Sequence, residues 1–265
     1  MTLHQSNINS IPVLELYPAL PAGKADDGSQ LSRPPLSLPL VFIFHGFDSS
    51  KERKLQHAYI MAQRGFFVVM PDAVRHGERE DSTFAALTYS EKAEFLFDIV
   101  TETAAEIDSL LQHYSQSSVV DSSRCAVVGT SMGGMILCEY LARHGHKAIK
   151  AGVSIISTPD FGSIIDNSLE QNPEFYNAYS QAKIDRVKAS QPLPQVRQLK
   201  DFPLLMLNAE DDTIMPIREV RSFFTDLKHQ YTQPERLRLK TFKDTGHQTT
   251  AAMMHESADW LKSWI

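Results

Sequence analysis

Short, almost wholly apolar runs alternate with longer amphipathic stretches along the 265 residues of the chain, and this alternation constrains its fold most strongly. The runs are rich in Val, Ile, Leu and Phe and occupy residues 40–44, 66–70, 125–128, 153–156, 204–207 and 237–242. The first five are apolar almost throughout, which is typical of parallel strands covered by helices on both faces. The sequence therefore predicts an α/β fold with a mostly parallel central sheet.

The amphipathic stretches between these runs predict the helices. Residues 51–64 end before Gly65, a residue suited to the left-handed position that follows a helix. Residues 91–114 predict one long helix, with Ser90 as its N-cap and an apolar stripe along one face. Two more helices are predicted, one directly after Ser131 and one from about residue 249 to residue 260.

Two segments interrupt the alternation. The proline-rich residues 18–39 predict a surface loop between an edge strand at residues 13–17 and the first core strand. Residues 157–200 separate two strands, and we expect a helix there that begins with Asn172 as N-cap and Pro173 in its first turn. Insertions of this length commonly act as a lid or pocket wall. We therefore expect a single domain over residues 1–265 with a small helical cap at residues 157–200.

Composition argues against several classes of function. The formal net charge is −6 and no cluster of Lys and Arg is present, which disfavours nucleic acid and anionic membranes as partners. The longest apolar runs are far shorter than the roughly 20 residues of a membrane-spanning helix, and no signal peptide is evident. We expect a cytoplasmic protein without membrane insertion. No dinucleotide-binding, phosphate-binding or zinc-protease motif occurs, so neither cofactor nor metal is expected, and the sequence carries no signal of an oligomeric state.

The segment Gly129-Thr130-Ser131-Met132-Gly133 has the G-x-S-x-G pattern of a nucleophile elbow. By itself the pattern is weak, because chance supplies it in roughly a tenth of chains of this length. Here a predicted strand, residues 125–128, precedes it and a predicted helix follows it, which is the setting that an elbow requires. Side chains at Gly129 and Gly133 would clash in so tight a turn. The context predicts Ser131 as a nucleophile.

A serine hydroxyl becomes a good nucleophile when a histidine removes its proton and a carboxylate orients that histidine. In such folds the chain order is serine, acid, histidine. Among ten histidines, His247 follows the last strand and precedes the final helix, so it is the expected base. Three acids, Glu210, Asp211 and Asp212, follow the strand at residues 204–207. Asp212 is favoured over Asp211 because of its spacing to Pro216.

Stabilising a tetrahedral oxyanion requires hydrogen-bond donors that are already in position. One is expected to be the backbone N–H of Met132, at the positive N-terminal end of the helix after Ser131. The second is expected to be the N–H of Phe47, in the segment His45-Gly46-Phe47 that follows a predicted strand. Gly46 permits the unusual backbone turn, and His45 is expected to hydrogen-bond this loop instead of serving as a second base.

These segments together resemble a known family. The resemblance is carried by residues 45–52 (HGFDSSKE), residues 69–72 (VMPD) with His76-Gly77, residues 129–134, residues 212–216 and His247. They are similar to small bacterial esterases of the prolyl-oligopeptidase-like branch of α/β-hydrolases, the YjfP-type carboxylesterases. The resemblance implies an α/β-hydrolase fold and a serine carboxylesterase that acts on a small-molecule ester. It also implies Ser131, Asp212 and His247 as the triad, with Phe47 and Met132 as oxyanion donors.

Several other functions would use the same residues. A peptidase or thioesterase needs the same triad, and an acyltransferase passes the acyl group to an acceptor other than water. Peptidases of this branch usually carry an additional propeller, which we do not expect in this chain, so an ester with a short acyl chain is favoured. A hydrolase fold that only binds a ligand usually lacks a triad member, and here all three are present in order.

The substrate pocket is the part that the motifs do not predict, because residues 157–200 lie outside the resemblance. Phe175, Tyr176 and Tyr179 are candidates for its wall, although packing of the predicted insertion helix accounts for them equally well. Residues 75–81 (RHGERED) contain a histidine and several carboxylates. We expect them to form a solvated loop and not a metal site.

Overall fold

The structure is a computed structural model that describes residues 1–19, 37–171 and 179–265. The strands are β1 (Thr2–Ile8), β2 (Ile11–Tyr17), β3 (Leu38–Phe44), β4 (Phe67–Pro71), β5 (Val120–Thr130), β6 (Ala151–Ile155), β7 (Leu204–Ala209) and β8 (Leu237–Phe242). The helices are α1 (Leu55–Gln63), α2 (Ser82–Ala85), α3 (Tyr89–Ala93), α4 (Leu96–Ala105), α5 (Ile107–Tyr114), α6 (Met132–His144), α7 (Phe161–Gln171), α8 (Gln181–Ser190), α9 (Leu193–Val196), α10 (Ile217–Lys228) and α11 (Ala251–Lys262).

The described strands form one eight-stranded sheet in the order β1-β2-β4-β3-β5-β6-β7-β8. β1 and β2 form an antiparallel hairpin, and β2 runs antiparallel to β4. All remaining neighbours are parallel, so the carboxyl ends of β3 to β8 lie along one edge of the sheet. The predicted α/β-hydrolase fold is thereby confirmed, and loops at this edge are where such sheets place their ligands.

Helices cover both faces of the sheet, as the wholly apolar strands predicted. All seven residues of β3 are buried. Its alternate side chains enter two separate apolar clusters. Leu40 and Phe42 belong to the cluster that includes residues of α4, α5, α6 and α10, whereas Val41 and Ile43 belong to the cluster that includes residues of α1 and α11. Cys125 and Cys138 are free and buried within these layers.

The sequence did not predict β1. Its residues are largely exposed and polar, because it is an edge strand that contacts the core with little more than Ile8. The turn to β2 is made by Asn9 and Ser10, both at positive φ, 50° and 69°. Two successive residues in this conformation are typical of a tight hairpin turn.

The single long helix expected at residues 91–114 was wrong. Three helices, α3, α4 and α5, occupy this stretch, and the N-cap is Thr88 with Glu91 in a capping box, not Ser90. Between α3 and α4, the carbonyl oxygens of Ala93 and Glu94 each lie 2.9 Å from the hydroxyl of Tyr179. These carbonyls would otherwise accept the next hydrogen bonds of a continuous helix. A distant side chain therefore stabilises the break.

The insertion between β6 and β7 contains α7, α8 and α9 among its described residues. α8 begins with Ser180 as N-cap, whose side chain accepts from the Lys183 N–H. The helix start predicted at Asn172 lies outside the described residues, as do residues 20–36 of the predicted surface loop. Within the described parts of the chain, none of the helices has the length and apolar character needed to cross a membrane.

Candidate active site

Ser131 lies at the sharp turn between β5 and α6. Its backbone has φ 53° and ψ −115°, outside the regions that residues other than glycine normally adopt. Its N–H donates to the carbonyl of Ile155 on the neighbouring strand, at 2.8 Å. A Cβ at Gly129 would approach the Gly133 carbonyl oxygen to 2.0 Å, and one at Gly133 would approach the Phe44 carbonyl oxygen to 2.3 Å. The expected clash at both glycines is confirmed, so the turn tolerates side chains at neither position.

A chain of hydrogen bonds joins Ser131 to the predicted histidine and acid. His247 Nε2 lies 2.9 Å from Ser131 Oγ, and His247 Nδ1 lies 2.8 Å from Asp212 Oδ2. The other oxygen of Asp212 accepts from the N–H groups of Ile214 and Met215, both at 2.9 Å. Because a carboxylate only accepts, Nδ1 carries the imidazole proton and Nε2 is left to accept from the serine hydroxyl. This arrangement can remove a proton from Ser131.

The three neighbouring acids after β7 have separate contacts. Glu210 binds Arg221 on α10 and the hydroxyl of Thr241 on β8. Asp211 accepts from the N–H of Thr245 with its side chain, and its own N–H donates to the Thr245 carbonyl. Asp212 alone contacts the imidazole. Asp211 therefore holds the loop that carries His247, while Asp212 orients the ring itself.

Two buried, neutral histidines fix the loop that contains Phe47. The Ala73 N–H donates to His45 Nε2 at 3.1 Å, so the proton lies on Nδ1, which donates to the Gly46 carbonyl at 2.8 Å. Burial lowers the pKa of His45 to about 4. The Asp48 N–H donates to His76 Nε2 at 3.1 Å, and burial likewise lowers the pKa of His76. Both rings accept hydrogen bonds from backbone and stay uncharged, which keeps the backbone on either side of Phe47 in one conformation.

The expectation that residues 75–81 form a solvated loop is confirmed for Gly77, Glu78, Glu80 and Asp81, which are exposed, but not for His76. His76 is buried, and Glu78 lies 2.6 Å from the buried ammonium of Lys51. Arg79 makes a two-pronged ion pair with Glu106, at 2.6 and 2.7 Å. Apart from Gly77, the segment contains only polar residues, and no local pattern indicates that the hydrogen-bond and ion-pair partners of these residues lie on distant elements. The described residues contain no group of three or more His, Cys, Asp or Glu side chains suited to a metal ion.

A pocket of about 410 Å³ opens in front of Ser131 and His247. Both expected oxyanion donors, Phe47 and Met132, belong to its lining, and Met132 is the first residue of α6, where N–H groups have no carbonyl partner within the helix. The lining includes apolar residues, among them Leu96, Met135, Ile156, Ile164 and Met215, and polar residues, among them Ser49, Lys54, Gln248 and Thr249.

None of the three candidate wall residues from the insertion is among the described residues that line the pocket. Phe175 and Tyr176 lie outside the described residues. Tyr179 is buried behind the pocket, edge-on to Phe97, and is not among the described lining residues. Its position reflects packing of the insertion against α3 and α4, the alternative that the sequence left open. Sequence reasoning missed Lys54, since a lysine in an amphipathic helical stretch gives no local sign that it faces a pocket.

A family profile and several known proteins match most of this chain. The sequence profile described as the prolyl oligopeptidase family matches residues 53–265. The protein named "Putative esterase YitV" of Bacillus subtilis is 29% identical over 236 residues, which cover 86% of this chain and 90% of that protein. "Esterase YjfP" of Escherichia coli is 28% identical over 225 residues, covering 82% and 81%. The crystal structure of TT1662 from Thermus thermophilus superposes with a TM-score of 0.73 at 19% identity, covering 100% of this chain and 98% of that one.

Proposed function

The chain belongs to the prolyl oligopeptidase family of serine hydrolases, and from that premise we propose that it cleaves carboxylic esters of small molecules, with short acyl chains, through an acyl-enzyme on Ser131. The observation that carries the proposal is the hydrogen-bonded series Asp212–His247–Ser131, with 2.8 and 2.9 Å between its members. The choice of esters is supported by the names of two relatives that match over most of their length, "Putative esterase YitV" and "Esterase YjfP".

In the first half of the reaction, Ser131 Oγ attacks the acyl carbon of the ester while its proton passes to His247 Nε2. The carbonyl oxygen becomes an oxyanion, which the N–H groups of Phe47 and Met132 stabilise. Asp212 balances the positive charge that forms on the imidazole. The intermediate then collapses: the bond to the alcohol oxygen breaks, and His247 returns the proton to the departing alcohol.

In the second half, water replaces the alcohol. His247 takes a proton from water as the water oxygen attacks the acyl carbon of the acyl-enzyme. Collapse of this second intermediate breaks the bond to Ser131 Oγ, and the serine recovers its proton from His247. The products are the free acid and the enzyme in its starting state.

The pocket supports a small substrate. Its volume of about 410 Å³ falls in the range of sites for small ligands. α7 contributes Ile164, Asn167 and Ser168 to the wall, so residues of the insertion face the bound molecule. We propose that residues 157–200 act as a cap that sets the acyl-chain preference, within a single domain formed by residues 1–265.

The test is a series of 4-nitrophenyl esters from acetate to long acyl chains, measured on the wild type and on Ser131→Ala. We expect turnover that is highest for short chains and falls on the order of a million-fold in the variant, because the nucleophile is lost. A matched control is Ser263→Ala, which removes a hydroxyl at the exposed end of α11 and should leave turnover as in the wild type.

Three outcomes would overturn the proposal. Undiminished ester turnover in Ser131→Ala would remove the serine from the mechanism. Faster cleavage of matched anilides or thioesters than of the oxygen esters would instead assign the chain as a peptidase or thioesterase. Added alcohols that trap the acyl group as a new ester, in preference to the free acid, would identify an acyltransferase.

A further inference from the structure

The pocket in front of Ser131 is unusual in its charge. Among its described lining residues there is no Asp or Glu, and Lys54 is the one Lys or Arg. The chain as a whole has a formal net charge of −6. Because the protein as a whole is anionic, the general charge of its surface does not account for a lysine in the pocket. The charge of the molecule that enters the pocket does.

Lys54 has no partner within the described parts of the chain. Its ammonium makes neither an ion pair nor a hydrogen bond with any described residue, whereas the neighbouring Lys51 contacts three carboxylates, those of Asp72, Glu78 and Glu52. Burial alone lowers the pKa of Lys54 to about 8, with no acidic neighbour to oppose it. A cation that is largely removed from water and unpaired is costly, so such groups are normally matched by an anion.

Nothing next to Lys54 supplies that anion. His57, one turn along α1, is fully buried, and both of its ring nitrogens lack a hydrogen-bond partner. Burial lowers the pKa of His57 to about 3, so the ring is neutral at physiological pH. The other polar residues of the described lining, among them Ser49, Gln248 and Thr249, carry no negative charge. The described lining can therefore offer hydrogen bonds to Lys54 but no counter-charge.

Building on the proposed function, we infer that the natural substrates are esters that carry a carboxylate, which Lys54 binds while the ester group lies against Ser131. The lining combines apolar residues, among them Leu96, Ile164 and Met135, with the charge of Lys54. A substrate with an aliphatic portion and a terminal carboxylate matches this composition. Lys54 would then determine specificity, whereas the reacting atoms are handled by Ser131 and His247.

The experiment compares matched esters with and without the negative charge. On the acyl side, the mono-4-nitrophenyl esters of adipic and suberic acid are paired with their methyl 4-nitrophenyl diesters. On the alcohol side, 4-acetoxybenzoate is paired with methyl 4-acetoxybenzoate. The measured quantity is the ratio of kcat/KM for the anionic ester to that for its neutral partner, after subtraction of the uncatalysed rate. The proteins are the wild type, Lys54→Met, Lys54→Arg, and Lys262→Met, which removes an exposed lysine on α11.

In the wild type we expect a ratio of at least about ten for one of the two sides, the size of one charge-assisted hydrogen bond. Lys54→Met should bring that ratio to about one, Lys54→Arg should retain most of it, and Lys262→Met should match the wild type. A wild-type ratio of one or less in every pair would overturn the inference, as would an unchanged ratio in Lys54→Met.

The outcomes separate this inference from the proposed function. Hydrolysis of the neutral esters that depends on Ser131, without any preference for the anionic partner, would reject the role of Lys54 and leave the esterase intact. No Ser131-dependent hydrolysis of any ester would reject both. The ratio is independent of enzyme concentration, so a variant that is only partly folded still gives a valid comparison.

Discussion

Replacing Asp212 with asparagine should separate the catalytic role of the carboxylate from its structural role. The amide keeps the shape of the side chain, and its oxygen can still accept from the N–H groups of Ile214 and Met215. Its NH₂ group, however, takes the place of the oxygen that lies 2.8 Å from His247 Nδ1. Because an amide nitrogen only donates, Nδ1 must lose its proton to keep a hydrogen bond, and the proton then lies on Nε2, facing Ser131.

The two effects differ greatly in size. An imidazole with the proton on Nε2 cannot accept the serine proton, and loss of the correct tautomer lowers kcat by about 10⁴-fold, or about 5.5 kcal/mol. The fold loses much less: two hydrogen bonds to a charged oxygen become neutral ones, at about 1 kcal/mol each. In a chain of this size each kcal/mol corresponds to about 2–4 °C in Tm. The variant should therefore be folded and nearly inactive.

The assay is kcat/KM for a short-chain 4-nitrophenyl ester, with thermal unfolding followed by circular dichroism on the same samples. Asp211→Asn is the matched control, because its side chain accepts from Thr245 and does not contact the imidazole. A weakened neutral hydrogen bond there should cost less than about fivefold in rate. The reasoning is refuted if Asp212→Asn keeps more than about a tenth of the wild-type kcat/KM, or if the two variants lose activity equally.

Two further predictions concern stability. Gly133→Ala should lower the free energy of unfolding by about 3 kcal/mol or more, because its Cβ would lie 2.3 Å from a backbone oxygen. Gly65→Ala, at φ 94° with nothing within 4 Å of the added Cβ, should lower it by only about 1 kcal/mol. Equal losses for the two variants in urea titrations would contradict this prediction. Burial lowers the pKa of His57 to about 3, so the unfolded chain binds a proton there below pH 6.5 and the folded chain does not. Between pH 6.5 and 5, the wild type should therefore lose about 1.6 kcal/mol more than His57→Leu. Parallel stability curves for the two proteins would show that His57 is not the cause.

The parts predicted correctly from the sequence are those in which the cause is local. The wholly apolar strands specified a sheet buried on both faces, and the glycines around Ser131 marked a turn too tight for side chains. The choice of Asp212 as the residue next to His247 rested on spacing along one loop. In each case the residues that decide the geometry are within a few positions of one another.

The parts that were missed depend on contacts between distant segments. The helix expected at residues 91–114 is interrupted where carbonyls of Ala93 and Glu94 face the hydroxyl of Tyr179, 86 and 85 residues away. His76 is buried because the loop after β3 folds over it and donates to its ring. No periodicity within either segment reports such a partner, and the same holds for Lys54, which only the completed pocket identifies as unpaired.

The backbone of Ser131, at φ 53° and ψ −115°, has a consequence for how such a chain can change over generations. A residue other than glycine in so sparsely populated a conformation costs of order 1–3 kcal/mol. Glycine would remove most of that cost, and the same single substitution would delete the hydroxyl. In descendants in which the reaction is no longer under selection, Ser131→Gly would therefore stabilise the protein. Loss of the serine should be among their earliest changes. A serine at this strained position is what we expect of a chain in which the chemistry is under selection.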